Sequence, residues 1–154
     1  IGVASTGVHS NGYTLARKVA TENGGYAAKL PSGKTVGSAL ITPTRIYSEV
    51  LDVCRATEVH GMCHVTGGGL LNFLRISEYG FAIVDPMPVP EILQWIAEKG
   101  ELETNELYRT FNMGMGFAFI VSPKDADELI KLVPGAKTVG TVIKEHKVLL
   151  QVIL

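Results

Sequence analysis

Two stretches of this 154-residue chain carry the groups needed to hold an anionic, hydrogen-bonding ligand. The first runs from His60 to Leu74, His-Gly-Met-Cys-His-Val-Thr-Gly-Gly-Gly-Leu-Leu-Asn-Phe-Leu. A β-capable run meets Thr66, then Gly67, Gly68 and Gly69, then the apolar positions of a helix. Thr66 is placed to cap that helix, and the three glycines let a ligand approach the backbone without side-chain interference. Unpaired N–H groups and the positive end of the helix dipole suit a phosphate. His64, directly before the turn, is better placed to act than His60. The second stretch is Ser5-Thr6-Gly7-Val8-His9-Ser10-Asn11-Gly12-Tyr13, between a strand and a helix. Its hydroxyls, amide and N–H groups are donors for a polar ligand, and His9 is available near neutral pH as donor or general acid–base. The same loop reads equally as a capped turn with Ser10 or Asn11 as the N-cap.

Three more polar residues could serve the same groove. Arg45 falls early in an expected helix, where the dipole disfavours a cation, so it faces either an anion or Glu49 one turn on. Arg109 and Asn112 stand at the mouth of the strongest strand. Ala28 to Thr35, Ala-Lys-Leu-Pro-Ser-Gly-Lys-Thr, nearly matches a phosphate-binding P-loop. No β run precedes it and Pro31 lies inside it, so it reads as a surface loop before a short helical turn. His60 and His64 share one side of a strand about 13 Å apart, too far for one ion, and no metal ligands are assigned.

The elements that must position these groups follow from hydrophobic spacing. A strand is predicted from Ile1 to Ser5 and a helix from Gly12 to Glu22, ended by Asn23-Gly24-Gly25. A second helix starts at Thr42 and Pro43 and runs to about Ala56, with Ile46, Val50, Leu51 and Cys54 facing the core and Cys54 a small apolar filler. His60, Met62 and His64 share one side of the next strand; Gly61, Cys63 and Val65 share the other. A strand at Phe81 to Val84 precedes a helix with Ile92, Leu93, Ile96 and, in part, Trp95 inward, stopped by Gly100. A short helix from Glu103 to Thr110 follows. Gly114 and Gly116 then mark a bulge or close backbone passage before the strand Phe117 to Val121. A helix from Lys124 to Leu132 leads to two closing strands, Ala136 to Ile143 and Val148 to Ile153, paired around a turn in which His146 is exposed and idle. Interleaved strands and helices without repeats give the class α/β (α+β): a mixed β-sheet flanked by helices.

Composition narrows the function. A chain of this length is one domain, able to bury roughly 70% of its unfolded surface. A net charge of −1, a pI of about 6.5 and no Lys/Arg cluster speak against a nucleic-acid partner. No apolar run reaches the ~20 residues of a membrane span, and no basic-then-apolar leader is visible. Cys54 and Cys63 lack any paired spacing, which fits a reducing, cytoplasmic setting. The first residue is Ile rather than Met, in a strand already under way, so the chain is expected to be a fragment of a longer protein.

Four motifs in order carry a family resemblance: residues 5–13, Thr42-Pro43-Thr44-Arg45-Ile46-Tyr47, His64-Val65-Thr66-Gly67-Gly68-Gly69, and Tyr108-Arg109-Thr110-Phe111-Asn112-Met113-Gly114. With them the chain resembles the C-terminal domain of the phosphoribosylformylglycinamidine cyclo-ligases, also called aminoimidazole ribonucleotide synthetases, of purine biosynthesis. The resemblance implies a ligase that closes an imidazole ring on formylglycinamidine ribonucleotide using ATP and magnesium. It implies His9 as the catalytic acid–base, and Ser5, Gly7, Ser10, Asn11, Gly12, His64, Thr66, Gly67, Gly68 and Gly69 as substrate or phosphate contacts. Arg45, Arg109 and Asn112 would line the same groove or support it from behind. It also implies a central mixed sheet of about six strands, an N-terminal domain holding most of the nucleotide and the Mg2+, and a homodimer in the full-length enzyme. Nothing in these residues corresponds to that N-terminal domain, so the domain alone should be inactive. Two other readings stay open: a non-catalytic phospholigand-binding or regulatory module, and a domain of formylglycinamidine ribonucleotide synthetase.

Overall fold

The computed structural model describes residues 1–151. Strand β1 (Gly2–Ala4) and a polar loop lead into helix α1 (Tyr13–Glu22). A 3₁₀ turn (Gly25–Ala27) and a surface loop follow, then α2 (Val36–Leu40), capped by Thr35, whose Oγ1 accepts from the Ser38 N–H at 3.1 Å. This is the short helical turn expected after the P-loop-like stretch. Helix α3 (Val50–Ala56) and strand β2 (Val59–His64) precede the three-glycine turn, which opens a 3₁₀ helix (Gly69–Arg75). Next come β3 (Gly80–Ile83), α4 (Glu91–Lys99), α5 (Thr104–Thr110) and β4 (Met115–Val121). A 3₁₀ turn (Pro123–Asp125), α6 (Ala126–Leu132) and the short strands β5 (Ala136–Lys137), β6 (Gly140–Ile143) and β7 (Val148–Leu150) follow.

The strands form two sheets rather than one central sheet. The first is antiparallel throughout, in the order β2-β4-β1-β5; the second has the order β6-β3-β7. Alternation along β4 builds both layers. Phe117, Phe119 and Val121 face α3 and α6, packing with Val3, Val53, Leu129 and Val133. Ala118 and Ile120 face the second sheet, packing with Phe73, Phe81, Ile83 and Val139. Met115 also faces the second sheet, out of phase with Phe117, because Gly116 is an extra residue: β1 pairs Val3 with Phe117 and Ala4 with Met115. The bulge anticipated from Gly114 and Gly116 therefore lies at Gly116. A third core joins α1, α2, α4 and α5 through Ala16, Val36, Leu93, Ile96 and Phe111.

Four expectations are corrected. The helix predicted from Thr42 is only α3, since residues 42–47 send their hydrogen bonds elsewhere. The Pro43 carbonyl accepts from Thr6 Oγ1, Arg45 donates to the Pro134 carbonyl, and Tyr47 donates to the Ala4 carbonyl. In α3 the buried residue is Val53, while Ile46, Leu51 and Cys54 are exposed, so Cys54 fills no core. The segment after the glycines is 3₁₀ and Thr66 does not cap it; Gly68 holds the N-cap position with φ 103°. Finally, β6 and β7 are not a hairpin, because β3 lies between them, antiparallel to β6 and parallel to β7. The part of the second closing strand predicted to reach Ile153 lies outside the described residues.

Candidate functional site

The loop before α1 is shaped from below by Asn112, a buried amide just beyond α5. Its Nδ2 donates to the Gly7 carbonyl at 2.8 Å, and its Oδ1 accepts from the Ser5 hydroxyl at 2.8 Å and the Gly114 N–H at 2.9 Å. The loop so held turns through left-handed backbone at Gly12 (φ 77°) and at His9 itself (φ 60°). For a residue with a Cβ that conformation costs about 1–2 kcal/mol, which the Asn112 bonds offset. Gly12, in place of Ser10 or Asn11, holds the N-cap position of α1, and no side chain caps the helix.

His9 is 5% exposed. Its Nε2 accepts from the Thr6 N–H at 3.1 Å, so in the neutral ring the proton resides on Nδ1. That Nδ1 is buried and has no hydrogen-bond partner among the described residues. Burial first, and the charge of His64 second, push the imidazole down to about 4, so at pH 7 it is neutral. The site thus holds a neutral imidazole with one unused N–H.

The rings of Tyr47, His9 and His64 form a triangle, with centroids 6.3 Å apart for Tyr47 and His9, 5.8 Å for Tyr47 and His64 and 6.4 Å for the two histidines, and Phe117 lies 5.2 Å from Tyr47. Its hydroxyl donates to the Ala4 carbonyl at 3.2 Å. Burial pushes that hydroxyl up to about 12, so it stays protonated. Gly116 makes room for both rings: a Cβ there would overlap the Tyr47 hydroxyl and come within 2.6 Å of His9 Cε1.

The glycine turn adjoins this loop. A Cβ on Gly67 would lie 3.1 Å from Asn11 Oδ1. The N–H groups of Gly67 and Gly68 have no acceptor among the described residues, whereas the Gly69 N–H donates to the Thr66 carbonyl at 2.9 Å. Asn72 locks the turn: its Oδ1 accepts from the Thr66 N–H at 2.9 Å and from Thr66 Oγ1 at 3.0 Å, and its Nδ2 donates to the Gly67 carbonyl at 3.1 Å. An Arg75 Nη2 lies 3.5 Å from the Cβ position of Gly68. Two free N–H groups with a guanidinium beside them fit a phosphate. Among the described residues no three His, Cys, Asp or Glu side chains converge to hold a metal ion.

The structure therefore brings Ser5, Gly7, His9, Asn11, Gly12, Asn112, His64 and the turn of Thr66, Gly67, Gly68 and Gly69 to one region. Arg45 lies behind it, paired with Glu49 at 2.5 Å, with its guanidinium 5.2 Å from the Tyr47 ring centroid. The Glu49 carboxyl is lowered by its own backbone N–H and by Arg45. Ser10 is exposed on the loop, and Arg109 is exposed on the last turn of α5. Sequence reasoning gave no role to Tyr47, Asn72 or Arg75. Asn72 did leave a signal: a polar residue within Leu70-Leu71-Asn72-Phe73-Leu74 must find partners once buried.

Fold and loops together define an α/β domain that sets a glycine turn beside a loop carrying a buried neutral histidine. The chain belongs to the family described as AIR synthase related protein, C-terminal domain, whose model matches residues 1–153. It is similar to the phosphoribosylformylglycinamidine cyclo-ligase of Methanosarcina acetivorans, 50% identical over 148 residues, which cover 94% of this chain and 44% of that protein. The enzymes of that name from Methanosarcina mazei (48% over 147 residues) and Citrifermentans bemidjiense (44% over 153 residues) match with the same coverage. The chain spans less than half the length of these relatives. No helix among the described residues is long and apolar enough to cross a membrane.

Proposed function

We propose that this chain supplies the substrate-facing half of a phosphoribosylformylglycinamidine cyclo-ligase site, completed by an N-terminal domain of the same enzyme, which would be a cytoplasmic homodimer. The observation that carries the reading is the meeting of Asn11 with Gly67, which sets the His9 loop beside the glycine turn. In such a reaction ATP would supply the phosphoryl group that turns the formyl amide oxygen of the substrate into a leaving group. A substrate nitrogen then attacks that carbon, closes the five-membered ring and loses a proton, while phosphate departs.

Each group of this chain has a part in that chemistry. The free N–H groups of Gly67 and Gly68, with Arg75, would neutralise a phosphate. His9, neutral and short of one hydrogen-bond partner, would donate Nδ1–H to an oxygen of the substrate once the loop admits it. Proton removal from the attacking nitrogen would need an unprotonated ring nitrogen, which is the one now bonded to the Thr6 N–H. Asn112 holds the loop from beneath. The described residues offer no group of three His, Cys, Asp or Glu side chains for a metal, so in this reading the magnesium ion would be held by the other domain.

Titration of this chain with formylglycinamidine ribonucleotide and with ATP, followed by backbone NMR, tests the reading. Shifts from the ribonucleotide concentrated at residues 9–12 and 66–69 are expected. Shifts at those glycines from ATP alone would move the cradle to the nucleotide. Silence with both would withdraw ligand binding from this half.

A further inference from the structure

We propose that Tyr47 is a positioning residue for His9: its ring closes the pocket over Gly116 and holds the imidazole in one tautomer with its N–H kept from water. The proposal rests on the reading of His9 as the group that faces substrate. Three observations carry it. First, the Tyr47 hydroxyl and His9 Cε1 both crowd the single point where a Cβ of residue 116 would stand, so each ring limits the movement of the other. Second, Tyr47 is itself anchored from two sides, by its bond to the Ala4 carbonyl and by Arg45, which lies over its ring and is in turn tied to Glu49 and to the Pro134 carbonyl. Third, His9 has left-handed backbone and only one bonded nitrogen, a combination that needs outside support to persist.

Tyr47 does this without touching any reacting atom. It supplies one wall, and the exposed His64, 5.8 Å from Tyr47 and 6.4 Å from His9, completes a triangle of rings beside it. With the wall in place the imidazole cannot turn its Nδ1–H to solvent. Without it, water reaches the unpaired nitrogen, and both tautomers become populated.

Ring-nitrogen NMR of His9 in this chain, in the absence of ligand, reads the effect directly. The native protein should show one neutral tautomer, protonated at Nδ1, with a slowly exchanging ring proton. Tyr47→Phe keeps the ring and should keep that signature. Tyr47→Leu removes the ring and should mix the tautomers and speed exchange of the ring proton by at least about tenfold, as expected when a local barrier to opening is lost. A thermal melt establishes that the variant is folded; Tyr47→Met repeats the comparison if Leu is not accepted. A native spectrum with the proton on Nε2 or shared between nitrogens overturns the proposal, as does a folded Leu or Met variant with an unchanged His9. Because no ligand is used, failure here is separate from failure of the ribonucleotide titration.

Discussion

At the scale of single residues, the loop before α1 depends on buried polar groups whose bonds are accounted for, His9 Nδ1 excepted, and behind it Glu49 Oε2 is also without a partner among the described residues. Asn112 satisfies Ser5, Gly7 and Gly114 at once, so Asn112→Leu leaves several buried partners empty. Each such loss costs about 1–3 kcal/mol, and a drop in unfolding free energy of about 2–4 kcal/mol is expected in urea titrations. His9 is the exception, and its linkage to folding has a definite sign. Its imidazole sits at about 4 in the fold against 6.5 for the free group, so between those values the unfolded chain binds more protons. Its effect on stability is constant above pH 6.5 and turns unfavourable as the pH falls toward 4. Urea midpoints measured from pH 7 to pH 4 should decline, and His9→Gln should flatten part of that decline; equal slopes would assign it to carboxylates instead. In an enzyme containing this domain, His9→Gln should lower turnover by 10²–10⁴-fold for an acid–base role, on the order of magnitude typical of such groups. A rise confined to KM would make it a binding group.

At the scale of elements, the three glycines divide by task. Gly69 has φ 54°, and a Cβ there would overlap the Tyr108 carbonyl oxygen, so Gly69→Ala should destabilise the fold by about 3 kcal/mol or more, or prevent folding. Gly67 is exposed and is not among the glycines of positive φ; its Cβ would meet only the end of the Asn11 side chain. Gly67→Ala should therefore fold normally and, by crowding the approach to the turn, lose ribonucleotide binding. Thermal melts beside the NMR titration separate the two, and a Gly67→Ala chain that binds as the native one does would remove this glycine from the cradle.

What could be read in advance also divides by element. The inward face of α4 and the two sides of β2 follow from local spacing, so Leu93, Cys63 and His64 lie where periodicity puts them. Residues 42–47 carry the signals of a helix start yet form none, because their partners include residues 4, 6 and 134, which no local pattern reports. The place of Tyr47 beside His9 is invisible to local pattern for the same reason. The motif containing it was visible, but its contact with His9 exists only across Gly116.

At the scale of the whole molecule, the two sheets differ in how firmly they are held, and the His9 side of the site belongs to the firmer one, while Phe73 ties the glycine turn to Phe81 of the second. Strand β4 is paired on both sides and covered on both faces, by α3 and α6 below and by the second sheet above. The second sheet has only three short strands, with Thr141, Val142 and Leu149 exposed. A groove of about 530 Å³, open in part to solvent and lined by Phe73, Ile83, Ala118, Ile120, Val139 and Val142, runs along the edge between it and β4. A small sheet of short, partly exposed strands opens at lower cost than the layer beneath it. Native-state hydrogen exchange should therefore find the greatest protection at β4 and β1, and opening of β6 and β7 at a free energy below that of global unfolding. Since His9, Tyr47 and Asn112 contact β1, β4 and the loops flanking them, the opening of β6 and β7 should leave the His9 ring proton protected. Equal protection in β4 and β6 would instead mean that the two layers unfold as one unit, and that any substitution in the second sheet reaches the site through global stability.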